Sequence, residues 1–325
     1  MIYMVTGATG FTGGALARAL ARQGHRVRCL ARDLSRLPTE EGIEGIEGEI
    51  DDRAALARAT EGADGVFHVA AMYRDHGTRA EFERVNVGFT RALLEAAEAA
   101  GVRRFVYVST IGVHGSAKEI PANEDSAIDP QDVYQETKLA AEQLCRDAMA
   151  KGKLEIVIVR PCAIYGPGDT RMLKIFRMVQ RGIFFFVGRF DAYFHAVYID
   201  DLVDGMILAM TTPGVSGRTY ILGGERYSKL EDYIGAIADA AGAPRPRLRL
   251  PFAPLWLLAL AFEGLASVTG IKPPLHRRRL KFFKHDRAFS IARARRELGY
   301  SPQVSLEEGL RSTAEWYRTT GLLPR

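Results

Sequence analysis

The feature that most constrains the fold of this chain is a glycine-rich turn close to its start. A strand-like run over residues 2–5 leads into Thr6-Gly7-Ala8-Thr9-Gly10-Phe11-Thr12-Gly13, and a helical pattern follows over residues 13–23. Gly7 permits a tight turn, Gly10 lets backbone N–H groups approach an anion, and Gly13 lets the helix pack closely on the strand. The turn predicts a pyrophosphate-binding site, and its expected contacts are Gly7, Thr9, Gly10, Phe11, Thr12 and Gly13.

Short apolar runs alternate with longer helical patterns up to about residue 160. The predicted strands cover residues 2–5, 26–30, 65–69, 104–109 and 155–159, and helices are predicted over 13–23, 81–100 and 134–150. Such alternation is typical of a parallel sheet with helices on both faces. The pattern therefore predicts an α/β protein with a Rossmann-type doubly wound parallel sheet of five strands.

The regular alternation ends after Arg160-Pro161. Helical stretches near residues 172–181, 200–210, 230–241 and 306–317 follow, together with an aromatic run, Phe184-Phe185-Phe186. We expect a dinucleotide-binding domain over residues 1–165, with a return segment near 195–225. Residues 166–325 are expected to form a smaller, mostly helical substrate-binding part.

The composition excludes several classes of protein. Hydrophobic residues make up 47% and charged residues 26% of the 325 residues, which excludes a disordered chain and a disulfide scaffold. Three widely spaced cysteines, seven histidines without ligand spacing and the absence of a signal-peptide pattern predict a cytoplasmic protein without disulfides or a metal. A net charge of +5 does not indicate a nucleic-acid partner.

The choice between two dinucleotides is expected at the end of the second predicted strand. An acidic residue there binds the ribose 2′-hydroxyl of NAD, whereas an arginine accepts the 2′-phosphate of NADP. The sequence offers Arg32, with Arg36 nearby, and Asp33 one position later. Arg32 favours NADP, and Asp33 leaves NAD as the alternative.

A tyrosine and a lysine lie four residues apart on the helix predicted over 134–150. Tyr134 and Lys138 would be neighbours on one helix face. An ammonium beside a phenol favours the phenolate and lowers the pKa of the phenol toward neutrality. The spacing predicts that Tyr134 exchanges a proton with a substrate and that Lys138 lowers its pKa.

Several further motifs have the order and spacing of a known family. They are Phe67-His68-Val69-Ala70-Ala71, Asn86, Ser109-Thr110, Arg160-Pro161, Tyr165-Gly166-Pro167 and Leu298-Gly299-Tyr300. With the glycine-rich turn and the Tyr134–Lys138 pair, the chain resembles the extended short-chain dehydrogenase/reductases, including the NAD-dependent epimerase/dehydratase group, over essentially its whole length.

This resemblance implies roles for individual residues. Thr110 or Ser109 would orient the substrate oxygen, Tyr134 would carry its proton, and Lys138 would hold the cofactor ribose. Residues 49–51 would build the adenine pocket, and the backbone of Ala70-Ala71 would line the cofactor near its ribose. The implied cofactor contacts beyond the glycine-rich turn and Arg32 are Glu49, Ile50, Asp51, Ala70, Ala71, Asn86, Tyr134, Lys138, Pro161 and Cys162.

Departures from the family pattern narrow the activity. Dehydratases carry an acidic pair after the threonine, whereas Ile111-Gly112 stands here. Nucleotide-sugar epimerases place a diphosphate-binding arginine at the position of Phe194, although Arg171 or Arg189 could substitute. The sequence therefore favours an oxidoreductase that interconverts a secondary alcohol and a ketone, with a 4-epimerase holding NAD tightly as the alternative and a non-catalytic dinucleotide sensor as a third.

The C-terminal part resembles that of the 3β-hydroxysteroid/sterol dehydrogenase-like and β-ketoacyl reductase branch. An apolar stretch over residues 252–262 and the nearby aromatic side chains suit an apolar substrate, although the same side chains could simply pack the small domain. The candidate substrate contacts are Tyr73, Tyr165, Tyr193 and Phe194.

Two further partners are weighed. A basic run over residues 277–284 follows the apolar stretch and would suit weak contact with an anionic membrane surface, although a solvated helix face is the favoured explanation. The family resemblance also implies a homodimer formed through the helices predicted over 81–100 and 134–150.

Overall fold

The strands of the protein are seen in a computed structural model that describes residues 1–73, 77–188, 191–269 and 285–324. They are β1 (Ile2–Thr6), β2 (Arg26–Ala31), β3 (Ile43–Glu47), β4 (Gly65–His68), β5 (Arg104–Val108), β6 (Glu155–Pro161), β7 (Ala163–Tyr165), β8 (Phe186–Val187), β9 (Tyr193–Phe194), β10 (Ala196–Tyr198), β11 (Thr219–Leu222), β12 (Ser228–Lys229) and β13 (Arg249–Leu250).

In the first half of the chain the helices alternate with the strands, and in the second half they are separated by short strands or by loops. They are α1 (Phe11–Arg22), α2 (Arg53–Thr60), α3 (Arg79–Phe82), α4 (Phe89–Ala99), α5 (Val133–Ala150), α6 (Leu173–Gln180), α7 (Ile199–Thr211), α8 (Leu230–Ala241), α9 (Phe252–Thr269), α10 (Ala292–Leu298) and α11 (Leu306–Thr319).

Seven strands form one parallel sheet in the order β11-β6-β5-β4-β1-β2-β3. The chain winds outward from β1 to β3 in one direction and from β4 to β6 in the other. The direction reverses between β1 and β4, and ligands of such sheets bind at this point, beyond the carboxyl ends of the strands. The predicted Rossmann-type α/β fold is confirmed.

Two edge strands of this sheet were not predicted. β3 has the sequence Ile-Glu-Gly-Ile-Glu, whose two isoleucines are three residues apart and so lack the period of two that marks a strand. β11 pairs with β6 across almost sixty residues of chain. The single helix predicted over residues 81–100 is also divided, because a π-helical segment, Glu83–Gly88, separates α3 from α4.

Both faces of the sheet are buried under helices. Alternate residues of β1 point to opposite sides, so that Tyr3 and Val5 pack in the cluster containing Leu16 of α1, whereas Met4 packs with Leu93 of α4. Residues 199–222 return to the sheet, since α7 contacts α1 and β11 completes the edge. The carboxyl ends of the parallel strands therefore lie side by side at one edge of the sheet.

A buried ion pair joins α5 to the central sheet. The Glu142 carboxylate accepts hydrogen bonds from Arg160 Nε (2.9 Å) and Nη2 (2.7 Å), and both side chains are almost completely buried. A third bond comes from the hydroxyl of Ser109 (2.6 Å), and partly exposed Arg146 adds another (2.9 Å). Burial raises the pKa of Glu142, but the hydrogen bonds and charge of Arg160, together with the bonds from Ser109 and Arg146, outweigh it and hold that pKa below its ordinary value.

Removing the Glu142 charge should destabilise the protein far more than removing its exposed partner. Glu142→Gln leaves the Arg160 guanidinium buried without a counterion, so we expect a loss of about 3–5 kcal/mol in the free energy of unfolding. Arg146→Ala, the control, breaks only a partly exposed pair and should cost less than about 1 kcal/mol. Urea denaturation of both variants measures the difference, and equal losses would contradict this account of the pair.

Candidate active site

A cavity of about 620 Å³ lies at the carboxyl ends of the strands, where the winding direction reverses. The turn after β1 forms part of its wall, and residues at the ends of β2, β5 and β6 form other parts. Its lining contains Gly7, Thr9, Gly10, Phe11, Thr12, Gly13, Leu30, Ala31, Arg32, Arg36, Gly48, Ile50, Val69, Ala70, Ala71, Tyr73, Val85, Phe89, Val108, Ser109, Thr110, Tyr134, Lys138, Pro161, Cys162, Ala163, Ile164 and Arg171.

The glycine-rich turn brings the backbone too close for side chains. A Cβ atom on Gly13 would lie 2.4 Å from the Gly7 carbonyl oxygen, and Gly7 itself has a φ of +75° and lies against the backbone of Ala70. The first residue of α1 follows Gly10, which offers no side chain to cap the helix, whereas α2 and α5 are capped by aspartates. Backbone N–H groups at the start of α1 are therefore suited to a cofactor pyrophosphate.

A buried polar network fixes the segment that faces this turn. The Thr6 hydroxyl oxygen accepts hydrogen bonds from the backbone N–H groups of Val69 (3.1 Å) and Ala70 (3.0 Å). The His68 ring bridges Thr6 (Nδ1, 2.8 Å) and Thr90 (Nε2, 2.9 Å). Burial holds the pKa of His68 well below its ordinary value, so the ring is neutral and serves as a fixed spacer.

Tyr134 and Lys138 come from the first two turns of α5, which begins where Asp132 caps it. Both side chains reach the cavity wall. The Lys138 ammonium donates to the Val108 carbonyl (2.7 Å) and lies 4.2 Å from the centre of the Tyr107 ring. The helix thus presents the phenol and the ammonium beside the end of β5.

The pKa of Tyr134 is raised and not lowered as expected, and Lys138 is not among the main groups that shift it. Burial raises the pKa of Tyr134 above its ordinary value, although a hydrogen bond from Thr110 and the charge of Arg171 oppose it. Burial also lowers the pKa of Lys138 to about 7. The ammonium is directed at the Val108 carbonyl, and desolvation of the phenol dominates. Tyr134 is therefore protonated at neutral pH and poised to donate.

The two hydroxyl groups at the end of β5 have different surroundings. Ser109 donates to the buried Glu142 carboxylate and is thereby held in the ion-pair network. Thr110 accepts a hydrogen bond from the Gly112 backbone (3.0 Å) and lies beside the Tyr134 phenol. Of the two residues that the sequence left open, Thr110 is the one next to Tyr134.

Three of the expected cofactor contacts do not line the cavity. Glu49 is exposed, and Asp51 pairs with Arg84 on the surface (3.2 Å). Asn86 lies beneath the wall, where its side chain accepts from the Met72 N–H (2.7 Å) and donates to Thr137 (3.0 Å). Ile50 is the only member of the expected 49–51 adenine pocket in the lining. The remaining expected cofactor contacts all belong to the lining.

Three of the four candidate substrate residues lie elsewhere. Tyr165 is buried against Tyr198 (ring centres 5.6 Å apart), Tyr193 packs on Tyr227, and Phe194 packs on Tyr233 (4.6 Å). Phe184 and Phe186 also pack on each other in the core, and α9 contributes nothing to the lining. These aromatic side chains pack against other side chains outside the cavity lining. Tyr73 alone of the four lines the cavity, edge-on to Tyr134 (4.8 Å).

Some lining residues were not expected from the sequence. Gly48 follows β3, a strand that was itself not predicted, and Val85 and Phe89 come from the π-helical region. The sequence suggested Arg171 only as a substitute diphosphate ligand. Its position shortly after the Tyr165-Gly166-Pro167 motif is the signal that could have placed it on the cavity wall. Arg189, Phe190 and the basic run over 277–284 lie outside the described residues.

Residues 1–73, 77–188, 191–269 and 285–324 offer neither a metal-binding cluster nor a membrane-spanning helix. Within them, no group of three or more His, Cys, Asp or Glu side chains is arranged to hold a metal ion. Within the same ranges, no helix combines the length and apolarity needed to cross a membrane.

Comparison with known proteins agrees with this arrangement. The model of the NAD dependent epimerase/dehydratase family matches residues 3–223. The chain belongs to this family.

Two bacterial relatives have similar sequence identities to this chain. A 2-alkyl-3-oxoalkanoate reductase of Stenotrophomonas maltophilia is 32% identical and covers 96% of this chain and 98% of its own. A 3 beta-hydroxysteroid dehydrogenase/Delta 5→4-isomerase of Mycobacterium tuberculosis is 30% identical and covers 97% of this chain and 90% of its own.

The cytoplasmic location, the homodimer and the contact with a membrane surface that the sequence suggests stay predictions.

Two solved structures share the fold of this chain. The crystal structure of gox2253 superimposes with a TM-score of 0.83 at 32% identity and covers 99% of both chains. A UDP-glucuronic acid 4-epimerase from Bacillus cereus in complex with NAD has a TM-score of 0.79 at 23% identity, covering 98% of this chain and 99% of its own, which shows a common fold alone.

The different surroundings of Ser109 and Thr110 lead to opposite expectations. Thr110→Val removes the hydroxyl beside Tyr134 and should lower kcat/KM about tenfold or more, with only a small fall in the melting temperature from the lost hydrogen bond to the Gly112 backbone. Ser109→Ala should lower the melting temperature, because it deprives Glu142 of a buried donor, and should keep kcat/KM within about threefold. Calorimetry and NADPH-consumption assays on both variants check this, and the reverse pattern would assign the role to Ser109.

Proposed function

We propose that the protein interconverts a secondary alcohol and a ketone on a largely apolar, steroid-like or β-oxoacyl-like substrate, with NADP(H) as the preferred cofactor. The observation that carries the proposal is the convergence of Thr110, Tyr134 and Lys138 on one wall of the cavity that also contains the glycine-rich turn. The names of the two bacterial relatives, a dehydrogenase and a reductase, support the same reaction type.

The roles of Thr110, Tyr134 and Lys138 in this proposal follow from their surroundings. The bound nicotinamide supplies or accepts the hydride. Tyr134, kept protonated by burial, gives its proton to the carbonyl oxygen during reduction and takes it back during oxidation. Thr110 orients that oxygen. Lys138 holds the cofactor ribose, since its ammonium already lies on the cavity wall beside β5.

The end of β2 supports NADP over NAD. Arg32 and Arg36 both line the cavity. The Asp33 carboxylate accepts hydrogen bonds from the Ser35 N–H (3.1 Å) and hydroxyl (2.6 Å), so it is used by the turn that follows β2. Two guanidinium groups near the expected adenosine ribose suit a 2′-phosphate, and the acidic residue that would favour NAD is engaged elsewhere.

A nucleotide-sugar 4-epimerase is the less favoured interpretation. At the position where epimerases carry a diphosphate-binding arginine, Phe194 is buried and packed on Tyr233 outside the cavity lining. An apolar side chain in the core cannot contribute a charge to a diphosphate. The likeness to the UDP-glucuronic acid 4-epimerase concerns the fold and does not carry the activity.

Loss of the Tyr134 hydroxyl should abolish most turnover. Tyr134→Phe keeps the ring but removes the proton donor, so we expect kcat/KM for reduction of methyl 3-oxooctanoate or a 3-oxosteroid to fall by about 10²- to 10⁴-fold. The loss of NADPH absorbance measures the rate. Tyr193→Phe, outside the cavity, is the matched control and should keep full activity. Full turnover by a folded Tyr134→Phe protein would show that another group carries the proton.

Removing the charge at the end of β2 should change the cofactor preference. Arg32→Ala should weaken NADPH binding by about ten- to a hundredfold, because a charge-assisted hydrogen bond is lost, and leave NADH binding within about threefold. Arg26→Ala, an exposed arginine on the same strand, is the control. Fluorescence titration with both cofactors gives the constants. Equal weakening of NADPH and NADH would contradict a 2′-phosphate contact.

A further inference from the structure

The charges that line the cavity are unevenly distributed. Among the described residues, the lining contains four cationic side chains and no carboxylate. The proposed function uses three of them, with Arg32 and Arg36 near the 2′-phosphate and Lys138 at the ribose. The proposed function assigns no role to the fourth cation, Arg171.

The hydrogen bonds of the Arg171 guanidinium involve Nε and Nη2 and leave Nη1 without one among the described residues. Its Nε and Nη2 donate to the two carboxylate oxygens of buried Asp169 (2.8 and 3.2 Å), and Nη2 also donates to the Ile164 carbonyl (3.1 Å). Of the five N–H donors of a guanidinium, three are thus used. Nη1 makes no hydrogen bond with any part of the chain that the structure describes. The guanidinium of this half-exposed lining residue is thus held by a buried aspartate, with its central carbon 5.6 Å from the centre of the Phe11 ring, and two N–H donors stay available to a ligand.

This donor lies close to the reacting group. The charge of Arg171 interacts with the Tyr134 phenol and with Tyr73, whose ring is edge-on to Tyr134. Arg171 therefore places a positive charge at the Tyr134 end of the cavity, which favours the binding of an anion there.

We propose that Arg171 binds the carboxylate of an acidic substrate, so that the protein acts on a hydroxy acid or oxo acid whose reacting carbon lies beside Tyr134. The identification of the reacting carbon rests on the proposed function, but binding of the carboxylate does not. In the reductive direction the carbonyl carbon gains hydride from NADPH and the oxygen gains the Tyr134 proton, which gives the hydroxy acid and NADP⁺. The carboxylate itself is unchanged, and the apolar tail occupies the remainder of the cavity.

A pair of probes that differ only in charge tests the proposal. 3-Hydroxyoctanoate and 3-hydroxyoctanamide are titrated by calorimetry into the wild-type protein, with and without NADPH, with which neither probe reacts. We expect the carboxylate to bind about ten- to a hundredfold more tightly than the amide, since a bond to a charged group is lost in the amide. Equal affinities would overturn the proposal, and this comparison needs no variant.

Variants then assign the preference to Arg171. Arg171→Gln should bring the two affinities within about threefold of each other and leave NADPH binding unchanged. Arg177→Gln is the matched control, because this arginine on the adjacent helix bonds the Leu322 carbonyl and lies outside the cavity lining. A carboxylate preference that survives in Arg171→Gln, or a loss of NADPH affinity in its place, would overturn the proposal, the latter by assigning the guanidinium to a cofactor phosphate.

Two further outcomes separate this proposal from the function on which it is built. Turnover of methyl 3-oxooctanoate that depends on Tyr134, without any preference for the carboxylate probe, would overturn the acidic substrate and keep the oxidoreductase. A carboxylate preference that depends on Arg171, without reduction of any oxo compound tested, would keep the anion site and count against the oxidoreductase. UDP binding that depends on Arg171 and exceeds that of 3-hydroxyoctanoate would overturn the carboxylate in favour of a diphosphate.

Discussion

The close approach of Gly13 to the Gly7 carbonyl is the contact on which the rest of the site depends. A Cβ atom at Gly13 would lie 2.4 Å from that oxygen, so only glycine allows α1 to start directly above the end of β1. This contact places an uncapped helix N-terminus at the reversal point of the sheet. The same approach leaves Gly7 against the Ala70 backbone, so the two halves of the sheet meet at the cavity.

Two buried polar networks hold the walls on either side of this contact. On one side Thr6 and His68 fix the backbone at residues 69–70. On the other, the Glu142–Arg160 pair holds Ser109 and so positions the neighbouring Thr110. Buried polar groups of this kind are costly unless every partner is present, and once satisfied they restrict the chain to one arrangement. The wall that carries Thr110, Tyr134 and Lys138 is thus held in place by hydrogen-bonded residues behind it.

The electrostatics of the cavity follow from burial as much as from charge. Desolvation opposes ionisation, so it keeps the Tyr134 phenol protonated and brings the pKa of Lys138 down to about 7. The first effect suits a proton donor. The carboxylate of Asp169 lies behind Arg171 rather than in the lining, which leaves the surface offered to a ligand cationic.

The sequence by itself determined the features that depend on local pattern. Glycine spacing predicted the turn, alternation predicted the parallel sheet, and the four-residue separation of Tyr134 and Lys138 placed both on one face of a helix, because each is a property of neighbouring residues. Only the tertiary structure decided which of Ser109 and Thr110 stands beside Tyr134, that Phe194 and Tyr165 belong to the core, and that Arg171 lines the cavity. It also decided the protonation of Tyr134. Burial and long-range partners control these properties, and residues far apart in the chain supply both.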